Sequence, residues 1–161
     1  MKVPFLNLPL QYELLKEEID KAISEVVESG RFIMGDKVTD FEEKIGEYIG
    51  SKAISCASGS DALFISLKAA GVGPGDEVIT SPFTFFATAG AIARAGGTPV
   101  FVDTKNDTHN IDPNLIEDKI TKKTKAIIPV HIFGLMSDMD KITRVAKKHN
   151  LTVIEDACQA I

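Results

Sequence analysis

From residue 53 onwards, short apolar blocks alternate with stretches of helical periodicity, and this rhythm constrains the fold more than any other feature. Each block is a continuous apolar run, which is typical of strands buried on both faces of a parallel sheet. The predicted strands are 53–56, 78–80, 99–102, 126–130 and 152–154. The predicted helices are 60–70, 85–95, 114–120 and 139–148. The alternation predicts an α/β fold of three layers, α/β/α, around a mostly parallel (mixed) sheet.

The first fifty residues have a purely helical pattern instead. Apolar residues from Leu14 to Val27 recur at helical spacing, and Gly30 is placed to end that helix. A second amphipathic stretch precedes Gly50. We therefore predict a helical N-terminal arm over residues 1–50 and an α/β layer over residues 51–161.

Composition and charge exclude several classes of protein. The chain has 161 residues, of which 44% are hydrophobic and 25% charged, which indicates a folded core rather than disorder. The net charge is −5, and the densest basic cluster, Lys122, Lys123 and Lys125, lies in a predicted turn, so no nucleic-acid partner is expected. Neither a signal peptide nor a membrane span is expected. We predict a cytoplasmic protein in which Cys56 and Cys158 are reduced, packed thiols.

Ligands of open α/β sheets collect beyond the carboxyl ends of the strands. After the first predicted strand, Gly59 lies in a tight turn that feeds a helix, where free N–H groups and the helix dipole suit a phosphate. Ser60 adds a hydroxyl to this turn. The alternative is an ordinary helix cap formed by Ser58 or Ser60 with no ligand, in which Asp61 complements the dipole. A carboxylate at Asp61 would repel a phosphate unless it points away.

Two further strand ends carry candidate residues. Phe83, Phe85 and Phe86 surround the turn after the second strand, and we expect one ring to offer a flat face to an aromatic ligand while two pack in the core. Asp156 follows the last strand, where a buried carboxylate needs a partner. That partner can be a metal, a ribose hydroxyl or a protonated ring nitrogen, and helix capping is the structural alternative.

Several other active sites lack support in the sequence. His109, His131 and His149 have no metal-ligand spacing with the cysteines, so no metal site is expected. The glycine signatures of dinucleotide-binding domains and P-loops do not occur, and neither does a hydrolase nucleophile elbow. A nucleotide-binding Rossmann domain would account for the alternation of strands and helices, but the sequence lacks the glycine signature of such a domain.

Taken together and in this order, these signals resemble one family, the DegT/DnrJ/EryC1/StrS sugar aminotransferases, which are fold-type I enzymes dependent on pyridoxal 5'-phosphate (PLP). The likeness covers the whole chain. The matching segments are 4–8, 29–35, 58–63, 75–79, 84–88, 99–103, 129–134 and 154–160. The resemblance implies that residues 51–161 are the first part of the large PLP-binding domain, and that the rest of this domain and the C-terminal small domain are absent.

The resemblance also implies roles for the candidate residues at the phosphate of the cofactor. Gly59 and Ser60, with the backbone near Asp61, would hold the phosphate of PLP or of its pyridoxamine form. No metal takes part.

At the cofactor ring, the resemblance implies that Phe85 stacks on the pyridine and that Gln159 hydrogen-bonds near the 3-oxygen. Asp156 would pair with the protonated ring nitrogen and so maintain the electron sink. His131 lies in a matching segment, and we expect it to pack in the core.

The implied reaction transfers an amino group, with glutamate as donor, to the keto group of a nucleotide-linked sugar in amino-sugar biosynthesis. In the family the lysine that bonds to the cofactor follows the 155–159 segment, and this chain ends before reaching it. We therefore expect a fragment that is inactive alone. The family resemblance also implies a homodimer in which the 31–35 loop reaches the partner's site.

Two alternatives stay open. One is a sugar dehydratase of the same family, in which a histidine replaces the lysine. The other is a non-catalytic binding or regulatory module with the same fold.

Overall fold

The computed structural model describes residues 3–160, and the chain divides into two compact units after residue 55. The first unit contains helices α1 (Leu8–Ser29) and α2 (Asp36–Ile49). Gly30 and Gly50 follow these helices in the left-handed conformation, with φ of 65° and 66°. Glycine adopts this conformation without steric cost, so the prediction that Gly30 ends the first helix is confirmed.

The predicted strand at 53–56 is wrong. This segment forms no strand, and Ile54 is exposed to solvent. The backbone N–H and the hydroxyl of Ser55 both donate to Glu42 Oε1, at 2.6 and 2.7 Å. A side-chain carboxylate therefore satisfies the backbone donor for which a strand would need a neighbouring carbonyl. These two donors also lower the pKa of Glu42.

The second unit is a layered α/β structure. Its helices and strands among the described residues are α3 (Gly59–Ala69), β1 (Glu77–Thr80), α4 (Phe86–Ala95), β2 (Thr98–Phe101), β3 (Thr124–Ile128), α5 (Met139–His149) and β4 (Thr152–Val153). The four strands form one sheet in the order β2-β1-β3-β4, and every neighbouring pair is parallel. The predicted parallel sheet is confirmed.

The predicted helix at 114–120 is wrong. The structure has turns there, followed by one short 3-10 helix at Glu117–Lys119. Asp112 Oδ1 accepts hydrogen bonds from both the backbone N–H and the side-chain amide of Asn114, each at 2.9 Å. This local turn competes with the helical hydrogen-bond pattern. Ile116 is fully buried, and it anchors the segment to the core.

Apolar residues cover both faces of the sheet. Successive side chains of a strand point to opposite faces, so Ile128 of β3 joins one core cluster and Ile127 joins the other. The first cluster includes Leu67 of α3 and Ile92 of α4, and the second includes Ile142 of α5. Helices therefore pack on both faces, and the predicted three-layer architecture is confirmed.

The strand order places a reversal of direction at the centre of the sheet. From β1 the chain passes through α4 to β2 on one side, and β3 lies on the other side of β1. The segments that leave β1 and β3 therefore diverge, and they open a crevice beyond the carboxyl ends of these strands. Ligands of parallel α/β sheets bind at such a switch point.

Candidate active site

A pocket occupies this crevice within the second unit. It is bounded by the start of α3, the turn between β1 and α4, and the segments that follow β3 and β4. Its lining residues are Gly59, Ser60, Leu63, Thr84, Phe85, Ala87, Val130, His131, Ile132, Asp156, Cys158 and Gln159. The structure thus brings together five of the six residues that the sequence predicts to bind a cofactor, and Asp61 is the exception.

The start of α3 forms one end of the pocket. Ser58 caps the helix, because its Oγ accepts from the N–H of Asp61 at 3.2 Å. The N–H groups of Gly59 and Ser60 belong to the first turn, where a helix offers them no internal acceptor. A Cβ on Gly59 would lie 2.7 Å from Cys158 Sγ, so only glycine fits here without displacing that side chain.

The Asp61 carboxylate is engaged outside the pocket. Its Oδ1 accepts from Arg94 at 2.7 Å, and its Oδ2 accepts from the Ser58 hydroxyl at 3.2 Å. Arg94, and then Ser58, lower the pKa of Asp61. The Arg94 guanidinium also lies 4.1 Å from the centre of the Phe64 ring. The arginine neutralises the charge that would repel an anion at the start of α3. Asp61 therefore stabilises the helix start and does not line the pocket.

Phe85 occupies the N-cap position of α4 with an extended backbone, and its ring borders the pocket. The prediction that two of the three neighbouring phenylalanines pack in the core is wrong, because Phe83, Phe85 and Phe86 are 46%, 74% and 80% exposed. Phe86 lies along its own helix against Gly90. Phe83 packs against Phe133, with ring centres 6.1 Å apart. Phe85 therefore presents an aromatic surface at the mouth of the pocket.

Asp156 is the acidic side chain of the pocket, and it is buried, with 7% of its surface exposed. The parallel bridge to Val130 extends the sheet, and the Asp156 N–H donates to the carbonyl of Pro129 at 2.9 Å. Its Oδ2 accepts from the Thr88 hydroxyl at 2.8 Å. Its Oδ1 accepts one long backbone hydrogen bond, 3.4 Å, from the N–H of Cys158, and the weakly donating thiol of Cys158 also lies near the carboxylate. Oδ1 therefore retains the capacity to accept a strong hydrogen bond from a cation.

Gln159 lies beside Asp156 at the surface of the pocket. Its Oε1 accepts from the N–H of Phe133 at 2.7 Å. Phe133 adopts a left-handed conformation with φ of 54°, which is uncommon for a large side chain. Since the oxygen of the Gln159 amide is engaged, its NH2 group is left to donate to a ligand oxygen.

His131 is buried, as predicted, and its ring also lines the pocket. Its Nδ1 accepts from the N–H of Ser137 at 3.2 Å, and its Nε2 lies 2.8 Å from Glu155 Oε2. A nitrogen that accepts a backbone hydrogen bond carries no hydrogen, so the hydrogen is on Nε2 and points at Glu155. These two hydrogen bonds hold the His131 ring in the wall of the pocket.

Both cysteines are free, and both are exposed, so the prediction that they are packed thiols is wrong. Cys158 lies in the pocket wall between Gly59 and Asp156. Partial burial of its sulfur, and then the Asp156 carboxylate, raise the pKa of the Cys158 thiol. Cys56 belongs to a segment that forms no strand, and Cys158 lies beyond the end of β4, so no buried strand carries either thiol into the core.

Within residues 3–160, no cluster of three or more histidine, cysteine, aspartate or glutamate side chains is arranged to hold a metal ion. The helices of this part of the chain also include none that is long and apolar enough to cross a membrane.

The family of the chain follows from comparison with known proteins. The family model described as the DegT/DnrJ/EryC1/StrS aminotransferase family matches residues 13–161, and the chain belongs to this family. The resemblance predicted from the motifs is thereby confirmed. The family is dependent on PLP.

Individual relatives carry different names. A pleiotropic regulatory protein of Geobacillus stearothermophilus is 59% identical over 100% of the chain. A UDP-2-acetamido-2-deoxy-3-oxo-D-glucuronate aminotransferase of Pseudomonas aeruginosa is 46% identical over 98% of the chain. The chain spans 44% of the length of each of these two relatives.

Among solved structures, that of NtdA from Bacillus subtilis, with its cofactor pyridoxamine phosphate (PMP) bound, aligns with a TM-score of 0.95. It is 42% identical, and the alignment covers 99% of this chain and 37% of NtdA. The fold of this chain is therefore that of the corresponding part of an aminotransferase.

The chemistry of the pocket fits PLP or PMP. The start of α3 suits the phosphate, Phe85 offers a face to the ring, and Asp156 Oδ1 is an open acceptor for a protonated ring nitrogen. The Gln159 amide can donate to the 3-oxygen. Thr88 is a functional candidate that no sequence motif singled out, although its position four residues after Thr84, at the start of a predicted helix, placed both hydroxyls on one face.

We expect Gly59→Ala to lower the free energy of unfolding by about 0.5–1 kcal/mol, because the added methyl group forces the Cys158 side chain to rotate away. Urea unfolding measures the change. In a Cys158→Ala background the same substitution should cost nothing, since the colliding atom is gone and alanine favours the helix. Equal losses in both backgrounds would show that this contact does not exclude a side chain.

Proposed function

We propose that this chain forms the cofactor-binding part of a PLP-dependent aminotransferase that acts on a keto sugar linked to a nucleotide. The observation that carries the proposal is the buried Asp156, whose Oδ1 has only a long backbone contact, in a pocket that the start of α3 also lines. The family membership of the chain supports the same cofactor.

When bound, the cofactor would supply the electron sink that stabilises negative charge during amino transfer, and it would carry the amino group from donor to acceptor. Asp156 accepts the hydrogen bond of the ring nitrogen at Oδ1 and holds the proton on that nitrogen. Gly59 and Ser60 bind the phosphate and fix one end of the ligand. Phe85 covers a face of the ring and excludes water, and Gln159 orients the ring through its 3-oxygen.

The chemical step needs a lysine that none of these lining residues provides. In the family this lysine follows the segment that contains Asp156 and Gln159, and we propose that it completes the site in the whole protein. Glutamate as amino donor, a nucleotide-linked keto sugar as acceptor, a homodimer and a cytoplasmic location stay predictions. The name of the Pseudomonas relative supports an oxidised, nucleotide-linked sugar as the acceptor class.

Binding of PMP tests the cofactor site without the lysine. We expect PMP at ten times its Kd to slow alkylation of Cys158 by iodoacetamide about tenfold, because the bound ligand covers this wall of the pocket. Since the pKa of the Cys158 thiol is raised, the reaction is followed at alkaline pH, where the reactive thiolate forms. Peptide mass spectrometry measures the rate for each cysteine.

Cys56 is the matched control within the same chain. It is exposed and free, and its Sγ donates to the carbonyl of Ser58 outside the pocket lining. Its alkylation rate should not change on addition of PMP. Equal protection of both cysteines, or of neither at saturating PMP, would contradict the proposed cofactor site.

A second candidate function is regulatory. The relative from Geobacillus stearothermophilus, at 59% identity, is named a pleiotropic regulatory protein. A regulator that retains the cofactor pocket would bind PMP as tightly as an enzyme, so binding does not separate the two. Amino transfer from 15N-glutamate to a UDP- or dTDP-linked 3-keto sugar, followed by NMR, does. Transfer by the whole protein would establish the enzyme, and its absence in a protein that binds PMP and carries the lysine would favour the regulator.

A further inference from the structure

A chain of two hydroxyls, one half-buried and one fully buried, leads to the charged group of the pocket. Thr84 Oγ1 lies 2.8 Å from Thr88 Oγ1, and Thr88 Oγ1 lies 2.8 Å from Asp156 Oδ2. Thr88 is fully buried in the first turn of α4, and Thr84 lines the pocket. The chain joins the segment after β1 to the segment after β4, across the switch point of the sheet.

The direction of each hydrogen bond follows from the groups involved. A carboxylate can only accept, so the Thr88 hydroxyl donates to Asp156 Oδ2. Because a hydroxyl has one hydrogen, the Thr88 oxygen must then accept from Thr84. Both hydroxyls are thereby oriented, and each donor points towards the carboxylate.

This arrangement distinguishes the two oxygens of Asp156. Oδ2 is held by a 2.8 Å hydrogen bond from a side chain that is itself packed in the core, whereas the hydrogen bond of Oδ1 is a 3.4 Å contact with Cys158 N–H. A carboxylate without the Thr88 bond can rotate about its Cα–Cβ and Cβ–Cγ bonds and present either oxygen. With the bond, Oδ1 is the oxygen available to a ligand.

We propose that Thr88 is a positioning residue for the cofactor, which acts through Asp156 by directing Oδ1 at the ring nitrogen. The inference rests on the proposed PLP function of the pocket. Thr88 does not line the pocket, so it touches no ligand and its effect passes through the carboxylate. The consequence is that the Thr88 hydroxyl controls how firmly the proton stays on the ring nitrogen of the bound cofactor.

The test compares PMP binding by wild type, Thr88→Val and Thr88→Ser. Valine keeps the shape of threonine but donates no hydrogen bond, so Kd for PMP should rise about tenfold. The 15N chemical shift of ring-labelled PMP should move towards that of the unprotonated ring. Serine restores the donor, and its Kd should stay within about twofold of wild type with the wild-type 15N shift.

Thr80→Val is the matched structural control. Thr80 is also fully buried, but its hydroxyl donates to the carbonyl of Ile128 at 2.9 Å and not to Asp156. This variant should lose thermal stability while Kd and the ring 15N shift stay as in wild type. A purely structural role for Thr88 would make Thr88→Val behave in the same way.

The outcomes separate the two proposals. Failure of wild type to bind PMP would overturn the proposed function itself. Binding by wild type together with an unchanged Kd and 15N shift in Thr88→Val would overturn only the role of Thr88. A change in Thr88→Val that Thr88→Ser fails to reverse would also overturn it, because the hydroxyl would then not be the cause.

Discussion

Replacing Asp156 by asparagine is expected to weaken PMP binding about a hundredfold, as measured by fluorescence titration. Asparagine keeps the shape of the side chain and can still accept from Thr88, so the loss comes from the charge. Asp156 is buried, and its carboxylate is the acidic group among the pocket residues. Without it, a protonated ring nitrogen would be a buried charge with no partner, so the ring is expected to bind in its unprotonated form.

Asp103→Asn is the matched control for this substitution. Asp103 also follows a strand, β2, but it is exposed and lies outside the pocket lining. Its Oδ1 accepts only from the N–H of the next residue, Thr104. This variant should bind PMP as wild type does. If Asp156→Asn kept wild-type affinity and a protonated ring, the assignment of Asp156 as the partner of the ring nitrogen would be wrong.

Truncation of Ile127 to alanine is expected to lower the free energy of unfolding by about 4 kcal/mol. Ile127 is fully buried in the second core cluster, on the face of β3 that packs against α5. Removing three carbon atoms there loses their transfer free energy and leaves a cavity that the rigid strand cannot close. Denaturation by urea, followed by circular dichroism, measures the change.

Ile65→Ala is the control for this prediction. Ile65 lies on α3 and is 53% exposed, so the same truncation should cost less than about 1 kcal/mol. Both variants carry one alanine for one isoleucine, which cancels differences in the unfolded chain. A loss at Ile127 no larger than that at Ile65 would contradict the two-sided burial of the sheet.

The sequence predicted the parts of the fold that are fixed by local patterns. The strands of the parallel sheet are short apolar runs such as 126–128. Such a run is apolar on both faces of a strand, so it is favoured in a sheet that is buried on both faces. The glycine after each N-terminal helix likewise predicts its end, because the left-handed cap is a local requirement. The two wrong elements, 53–56 and 114–120, are segments whose backbone groups are taken by carboxylates, of Glu42 in one case and of Asp112 in the other.

Local patterns predicted the site only as separate pieces, and the family resemblance alone joined them into one cofactor site. Gly59, Phe85 and Asp156 each had a plausible structural alternative, and their convergence depends on the order of strands in the sheet, which no local pattern encodes. The pairing of Asp61 with Arg94 joins residues 33 positions apart. The Thr88 bond to Asp156 spans 68 positions. Such contacts appear only once the strands are assembled.

A crystal structure of the protein with PMP tests the central claim most directly. We expect the ring nitrogen within about 2.7–2.9 Å of Asp156 Oδ1, as in a charge-assisted hydrogen bond. The phosphate should lie at the N–H groups of Gly59 and Ser60, with Phe85 against the ring. A ligand bound in the opposite orientation, with its phosphate near Asp156, or bound outside this pocket, would contradict the assignment of the cofactor site.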